Sequence, residues 1–216
     1  MKKVFITTVS QQATFEGVVY ETEVKQLGNE KKEHYPIFNV MRNSVHPEDD
    51  IEVIAVKIPK NDSDREVDDN LGVLQDDIVE FEKEYSTKVK VTIIHQVAKA
   101  ESSAHINLFK ELLQVTPEAG DIYADITYGT KPTAITIMAA LNCINIMRPY
   151  CDIERIIYGQ IVEWEEDENA RRIPKKALLN DVTDLFSFVS LTSTMDSIGG
   201  ENIEVALRLM LGLQED

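Results

Sequence analysis

The hydrophobic positions of this chain follow two alternating patterns. Short apolar, β-branched runs such as VFITTV at residues 4–9 and IEVIAVKI at 51–58 are typical of buried parallel strands. Between them, apolar residues recur every three or four positions, which predicts helices. The strand-like runs are residues 4–9, 51–58, 89–97, 121–127 and 155–162. The helical stretches are residues 35–45, 71–85, a segment carrying Ile106, Phe109, Leu112 and Leu113 that Ser102 or Ser103 caps, and 131–147.

The remaining segments complete an α/β prediction. Residues 11–34 are polar and carry no clear pattern, 62–69 read as a charged loop, and 163–169 as an acidic hairpin tip. A further strand at 177–182 and helices at 184–194 and 201–213 follow. Strand and helix alternate, so the sequence predicts a doubly wound, mostly parallel sheet with helices on both faces. We expect one domain at 1–182 and a short helical C-terminal extension at 183–216.

Composition agrees with a folded domain. Hydrophobic residues make up 43% of the chain and charged residues 28%, as in ordinary globular proteins. No apolar run approaches the roughly 18 residues that span a membrane, and residues 4–9 are too short for a signal peptide. The two cysteines, Cys143 and Cys151, lack the spacing of a metal site or a disulfide framework. The sequence therefore predicts a cytoplasmic protein with two structural thiols.

The chain has 38 acidic and 22 basic side chains, and the resulting net charge of −16 restricts which nucleic acids and other anions it can bind. Such a field repels DNA and long RNA. A short anionic ligand can still bind where helix N-termini, backbone amides and a few cations converge.

The segment DITYGTKPT at residues 125–133 meets that condition, because it lies where a predicted strand ends and a helix begins. Gly129 permits close approach of a ligand, and Lys131 supplies a cation. Hydroxyls come from Thr127, Thr130 and Thr133. The alternative interpretation of this pattern is a capped helix after a glycine turn.

A second polar run ends the first predicted strand. Thr7, Thr8, Ser10 and Gln11 would lie at the same carboxyl edge of the sheet, near the topological switch point, where hydroxyls and amides suit ribose and base edges. By itself, such a run is also typical of an ordinary polar strand end.

The motifs VFITTVS, DITYGTKPT and LLNDVTDLF, in this order over roughly residues 1–190, resemble the CRISPR-associated Rossmann-fold (CARF) domains of type III CRISPR systems. The resemblance implies a Rossmann-like homodimer that binds a ring of four or six adenylates across its two-fold axis. By position, Thr127, Gly129, Thr130 and Lys131 match the family's phosphate loop. Thr8 and Ser10 match its first-strand polar residues, whereas Tyr128 stands where His or Gly is common.

The resemblance leaves three functions open. The first is a cyclic oligoadenylate sensor that acts alone, with an effector domain or with a downstream effector. The second is a metal-independent ring nuclease, in which a ribose 2′-hydroxyl attacks its own phosphodiester while Lys131 and Ser10 or Thr8 stabilise the charge. The third is a structural α/β dimer without a nucleotide ligand, which the net charge favours.

The sequence lacks the motifs of several other nucleotide-binding, ribonuclease and metal-binding proteins. The sequence has neither a Walker A motif nor a GxGxxG fingerprint, so we expect no nucleotide cofactor. Arg42 and His46 lie too close for a HEPN ribonuclease motif, and the paired aspartates lie in solvated charge runs, so we expect no metal. A homodimer is expected from an apolar stripe at the C-terminus: Ile203, Ala206, Leu207, Met210 and Leu211.

Overall fold

The computed structural model describes residues 1–12, 16–59, 65–96, 102–168 and 170–197. The strands are β1 (Lys2–Thr8), β2 (Tyr20–Glu21), β3 (Asp50–Lys57), β4 (Val89–His95), β5 (Ala119–Asp125), β6 (Tyr150–Glu166) and β7 (Arg172–Asp181). The α-helices are α1 (Ile37–Ser44), α2 (Arg65–Tyr85), α3 (Ser102–Val115), α4 (Lys131–Met147) and α5 (Thr183–Ser197), and Lys25–Leu27 forms a 3₁₀ turn.

In these residues the seven strands form one sheet in the order β2-β7-β6-β5-β1-β3-β4. The five strands from β6 to β4 are mutually parallel, and only β6 and β7 pair antiparallel. The chain moves from β1 to β3 and β4, then returns to β5 and β6 on the other side of β1. Right-handed crossovers therefore put α1 and α2 on one face and α3 and α4 on the other. The predicted doubly wound, mostly parallel Rossmann-like fold is confirmed.

Alternate strand residues supply the two cores. Phe5 of β1 stacks on Tyr123 of β5, with ring centroids 4.8 Å apart, on the face that α1 and α2 cover. The apolar stripe of α2 packs there through Leu74 and Phe81, both fully buried. Strand residues of the other parity, such as Ile6, are buried as well. A parallel sheet covered on both faces explains why its strands read as continuous apolar runs.

Several sequence-based bounds differ from the structure, and one short strand was missed. The charged loop at 62–69 gives way to α2 from Arg65 onward, because Val67 is buried and the acidic first turn suits the positive helix end. Within the expected hairpin tip at 163–169, β6 continues to Glu166, where the Arg172 guanidinium lies over the Trp164 ring at 4.8 Å. The two-residue strand β2, inside the unassigned segment 11–34, was missed because so short a strand has no pattern of its own.

The chain divides into two compact units, Met1–Val182 and Thr183–Asp216. The first holds the whole sheet with α1 to α4. The second contains α5, and the predicted helix at 201–213 with its apolar stripe lies outside the described residues. No helix in the described part of the chain is long and apolar enough to cross a membrane.

Candidate functional site

The two polar segments chosen from the sequence lie side by side. Strands β1 and β5 are neighbours, and Thr7 is in register with Asp125, the last residue of β5. The chain leaves these two strands in opposite directions, so the topological switch point of the sheet lies between them. Ligands of doubly wound folds bind at this position, outside the carboxyl ends of the strands.

The buried carboxylate of Asp125 connects the elements that form the site. Asp125 is fully buried, and its Oδ2 accepts a hydrogen bond from the Thr7 hydroxyl at 3.1 Å. Its Oδ1 accepts one from the Thr127 backbone amide at 2.9 Å. Burial raises the pKa of Asp125 to about 6, against the lowering effect of hydrogen bonds from Thr127, Thr7 and the Ile37 amide. The carboxylate therefore joins β1, the loop after β5 and the first turn of α1.

The loop after β5 presents its backbone to solvent. Gly129, Thr130 and Lys131 are exposed, whereas Tyr128 on one side and Thr133 on the other are buried. Gly129 has φ of +90°, a conformation that residues with a Cβ rarely adopt. A Cβ at Gly129 would also lie 2.9 Å from the Thr8 Cγ2 atom. The glycine thus permits both the turn and its contact with β1.

The first turn of α4 is capped by its own side chains. The Thr130 Oγ1 accepts a hydrogen bond from the Thr133 amide at 3.4 Å and lies 2.9 Å from the Thr133 Oγ1. Pro132 has no amide hydrogen to donate. Within the described residues, the backbone amides of Gly129, Thr130 and Lys131 donate to no protein group. Three donors at the positive end of a 17-residue helix are therefore open to a ligand.

The Thr8 hydroxyl is the most unusual polar group here. Thr8 is only 1% exposed, and its Oγ1 has no hydrogen-bond partner in the described part of the protein. A buried hydroxyl without a partner costs roughly 1–3 kcal/mol. Thr8 contacts the Gly129 turn through its Cγ2 methyl group, so the methyl, and not the hydroxyl, is the part of this side chain that packs under the loop.

The other residues predicted on β1 have structural contacts. Thr7 and Ser10 are fully buried, and the Ser10 Oγ accepts a hydrogen bond from the Gln12 amide at 3.2 Å. The Ser10 carbonyl accepts one from the Asn70 Nδ2 at 2.9 Å. The Gln11 Nε2 donates to the Ile58 carbonyl at 2.5 Å. The structure brings these residues to the predicted edge, but Gln11 is the one with a partly exposed side chain.

Tyr128 points into the protein. Its hydroxyl donates to the His34 carbonyl at 2.9 Å and lies 3.4 Å from the Tyr20 hydroxyl, and its ring packs edge-on against Tyr35 at 5.6 Å. Burial raises the pKa of Tyr128 and of Tyr20 well above the usual tyrosine value, so both are neutral phenols near neutral pH. Tyr128 thus fixes the loop to the segment before α1.

Two features of the site were not predicted from the sequence. Asp125 was noted as part of its motif, but its role was missed; a lone acidic residue at the end of a buried strand was the available signal. The second is the overhang of β6, where the Gly159 amide donates to the Thr127 Oγ1 at 2.7 Å. A Cβ at Gly159 would lie 2.8 Å from Pro36 and 3.0 Å from Tyr20. Nothing local in the sequence indicates that these segments meet.

No protein-family model and no curated protein matches this chain. Fold and site define a Rossmann-like α/β protein with an exposed, glycine-containing loop at its switch point. We call this loop, which runs from the end of β5 at Asp125 to the start of α4 at Lys131, the donor loop. Among the described residues, no group of three or more His, Cys, Asp or Glu is placed to hold a metal ion.

The conformation of Gly129 predicts a specific sensitivity. Gly129→Ala should lower the free energy of unfolding by about 1–2 kcal/mol, because alanine is strained at this φ and its Cβ meets Thr8. Gly72→Ala in α2 is the matched control, since its Cβ would meet nothing within 4 Å. That change should stabilise the protein by about 0.5–1 kcal/mol in denaturant unfolding. Equal effects would contradict the strained turn.

The raised pKa of Asp125 predicts a pH dependence. Between its ordinary value of 3.8 and about 6, the folded protein holds more protons at Asp125 than the unfolded chain does. This group therefore adds stability as the pH falls. From about pH 7.5 to about pH 5, unfolding should show the wild type gaining about 1 kcal/mol over Asp125→Asn, which cannot titrate.

Asp49→Asn serves as the control for this measurement. Burial opposes the charge of Asp49, but hydrogen bonds from the His46 amide, the N-terminal amine and Lys3 hold its pKa below 3.8. Its contribution is present above that value and is lost only at lower pH. The difference between wild type and Asp49→Asn should stay constant over the same range. A constant difference for Asp125→Asn as well would refute the raised pKa.

Proposed function

We propose that this protein is a receptor for a cyclic oligoadenylate of four or six nucleotides and that it acts as a homodimer in type III CRISPR antiviral defence. The observation that carries the proposal is the set of open backbone amides of Gly129, Thr130 and Lys131 at the start of α4, beside the switch point of the sheet. The CARF resemblance assigns ring phosphates to this same loop.

The donor set suits a phosphodiester. Backbone amides at a helix N-terminus bind phosphate oxygens directly, and the helix dipole adds partial positive charge. The first turn of α4 contains no acidic side chain. Lys131, exposed at the start of α4, contributes the formal charge.

The charge of the whole chain favours a short ligand over a polymer. At −16, the protein repels an extended polyanion, whose many phosphates all meet the negative surface. A ring of four or six nucleotides presents few phosphates, and each can lie against local donors. An even-numbered ring also has two-fold symmetry, which two identical loops can match.

An exposed apolar stripe supports pairing with a second copy. Ile135, Ala139 and Ile146 are exposed on α4 at positions i, i+4 and i+11, with half-buried Asn142 between them. Ile135 is 69% and Ile146 59% exposed. Apolar patches of this kind mark interaction surfaces. Because α4 starts at the donor loop, pairing through its stripe would bring two loops toward one ligand.

The two other functions have less support. In the ring-nuclease hypothesis, Lys131 stabilises the charge together with Ser10 or Thr8, but Ser10 is fully buried and Thr8 is only 1% exposed. Lys131 alone would then have to supply the side-chain stabilisation of the transition state. A purely structural dimer gives no role to the three open amides of the loop. An effector domain or downstream effector stays a prediction of the resemblance.

Lys131 is the residue whose loss tests the receptor. Lys131→Ala should weaken binding of cyclic tetra- or hexa-adenylate about a hundredfold, since charge-assisted hydrogen bonds contribute roughly 1.5–3 kcal/mol each and both copies contact one ring. Calorimetric titration measures the affinity. A thermal melt without ligand should change little, because Lys131 is exposed.

Lys110→Ala, at an exposed lysine of α3, is the control of equal charge change and should bind like the wild type. Mass spectrometry of the recovered ligand separates the functions: an intact ring indicates a receptor, and a linear product a nuclease. If neither ring binds the wild type, the proposed function is wrong. If Lys131→Ala binds as tightly as Lys110→Ala, the phosphates lie elsewhere.

The α4 stripe predicts the dimer surface. Ile146→Glu introduces a charge about four helical turns away from Lys131, so it should dissociate the dimer without touching the donor loop. Sedimentation should then show a 24.5 kDa monomer where the wild type sediments as a dimer. Val79→Glu on α2, also an exposed apolar position at 46%, should remain dimeric. A monomeric wild type at micromolar concentration would contradict the dimer.

A further inference from the structure

We infer that the cavity between the donor loop and the β6 overhang is a subsite for an unpaired adenine ring. The inference deepens the proposed function and rests on it for the identity of the whole ligand. The cavity measures about 230 Å³ and is lined by Gln12, Thr127, Tyr128 and the segment of β6 from Tyr158 to Trp164, with Tyr20 at its base.

The topology explains why a cavity forms here. Strand β5 ends at Asp125, opposite Ile157, whereas β6 continues to Glu166 alongside β7. The free part of β6 therefore extends past the sheet edge, over the loop that follows β5. The hydrogen bond from the Gly159 amide to the Thr127 hydroxyl fixes the loop against this overhang. Thr127 and Tyr128 thus belong to the donor loop and to the cavity wall at once.

The side chains of the wall match a nucleobase. Tyr158 and Trp164 offer ring faces for stacking, which contributes roughly 1–3 kcal/mol per base in single-strand recognition. Arg172 lies over the Trp164 ring at 4.8 Å and restrains it. None of the residues that line the cavity is formally charged. A neutral aromatic wall favours a base over a phosphate or a sugar acid.

Two amides supply specificity. Gln12 and Gln160 both line the cavity, and in the described part of the chain neither side-chain amide is hydrogen-bonded. A glutamine can donate to N7 and accept from the exocyclic amine of adenine at the same time, which discriminates against other bases by about 1–3 kcal/mol. Gln160 is exposed and Gln12 half-buried, so both amides are accessible to a ligand, and beside aromatic rings they fit an amino-purine, whose edge offers both a donor and an acceptor.

The size of the cavity limits what can enter. Pockets that enclose drug-sized ligands measure roughly 300–1,000 Å³, so a cavity of about 230 Å³ suits one ring system. The sugar and phosphate of the same nucleotide must then remain outside. The adjoining surface runs over Thr127 and Tyr128 to the exposed Gly129, where the open amides begin. The cavity for the base and the open amides for the phosphate of the same nucleotide are therefore adjacent.

The only tryptophan of the protein, Trp164, reports on this subsite directly. Titration with adenosine, followed by tryptophan fluorescence, should give a saturable change, and inosine should bind about tenfold more weakly because its exocyclic oxygen cannot donate. Gln160→Ala and Gln12→Ala should each weaken adenosine binding about tenfold. Gln75→Ala, at an exposed glutamine of α2, is the matched control and should bind adenosine like the wild type.

Parallel calorimetry with cyclic tetra- and hexa-adenylate separates this inference from the proposed function. One outcome is that a ring binds and Lys131→Ala weakens its binding, while Trp164 fluorescence does not change and Gln160→Ala binds the ring as tightly as the wild type. That result would contradict the adenine subsite and support the proposed receptor function. If adenosine binds with the expected glutamine dependence but no ring binds, the subsite stands and the receptor fails. Absence of both overturns both.

Discussion

The hydrogen bonds of the buried Asp125 carboxylate are the interaction on which the site depends. One side chain accepts from the Thr7 hydroxyl of β1, from the Thr127 amide in the loop after β5 and from the Ile37 amide at the start of α1. A buried charge is tolerated only when it is satisfied in this way, and loss of a partner leaves it costly. Through these bonds Asp125 ties the start of the loop after β5 to β1 and to α1 in the protein without ligand.

The sequence predicted those parts of the fold that depend on local signals. The bounds of α4 agree with the prediction, because Thr130 caps the helix and Pro132 lies in its first turn. The doubly wound, mostly parallel sheet followed from the alternation of strand and helix, whereas the order of the strands did not. Local signals do not show which polar side chain is exposed. Thr7, Ser10 and Tyr128 are buried because strands and segments distant in sequence cover them, and the overhang of β6 depends on its pairing with β7.

Charge acts on two length scales in this protein. The net −16 is spread over the surface and opposes any polyanion at long range, and salt screens it beyond about 10 Å. At the switch point the short-range terms have the opposite sign, through open amides, the dipole of α4 and Lys131. Asp125 adds a negative charge beneath the loop, but its oxygens are already occupied by internal donors. Selectivity for a small anion follows from this difference in range.

Neither the donor loop nor the aromatic cavity is selective by itself. Three backbone amides can donate to most phosphate esters, and a neutral aromatic cavity with two side-chain amides can bind most nucleosides that carry an amino-purine. Thr127 and Tyr128 lie in both, so a nucleotide that fills both must present its base and its phosphate at a fixed separation. Two linked contacts also strengthen each other, because the second is made at high effective concentration once the first is formed. A ring held by two copies repeats this gain on its symmetry axis, whereas a mononucleotide contacts one loop and one cavity. Under the proposed function, a preference for a cyclic oligonucleotide over the abundant mononucleotides would come from the number of contacts made together, and pairing of two copies through the α4 stripe would make that number reachable.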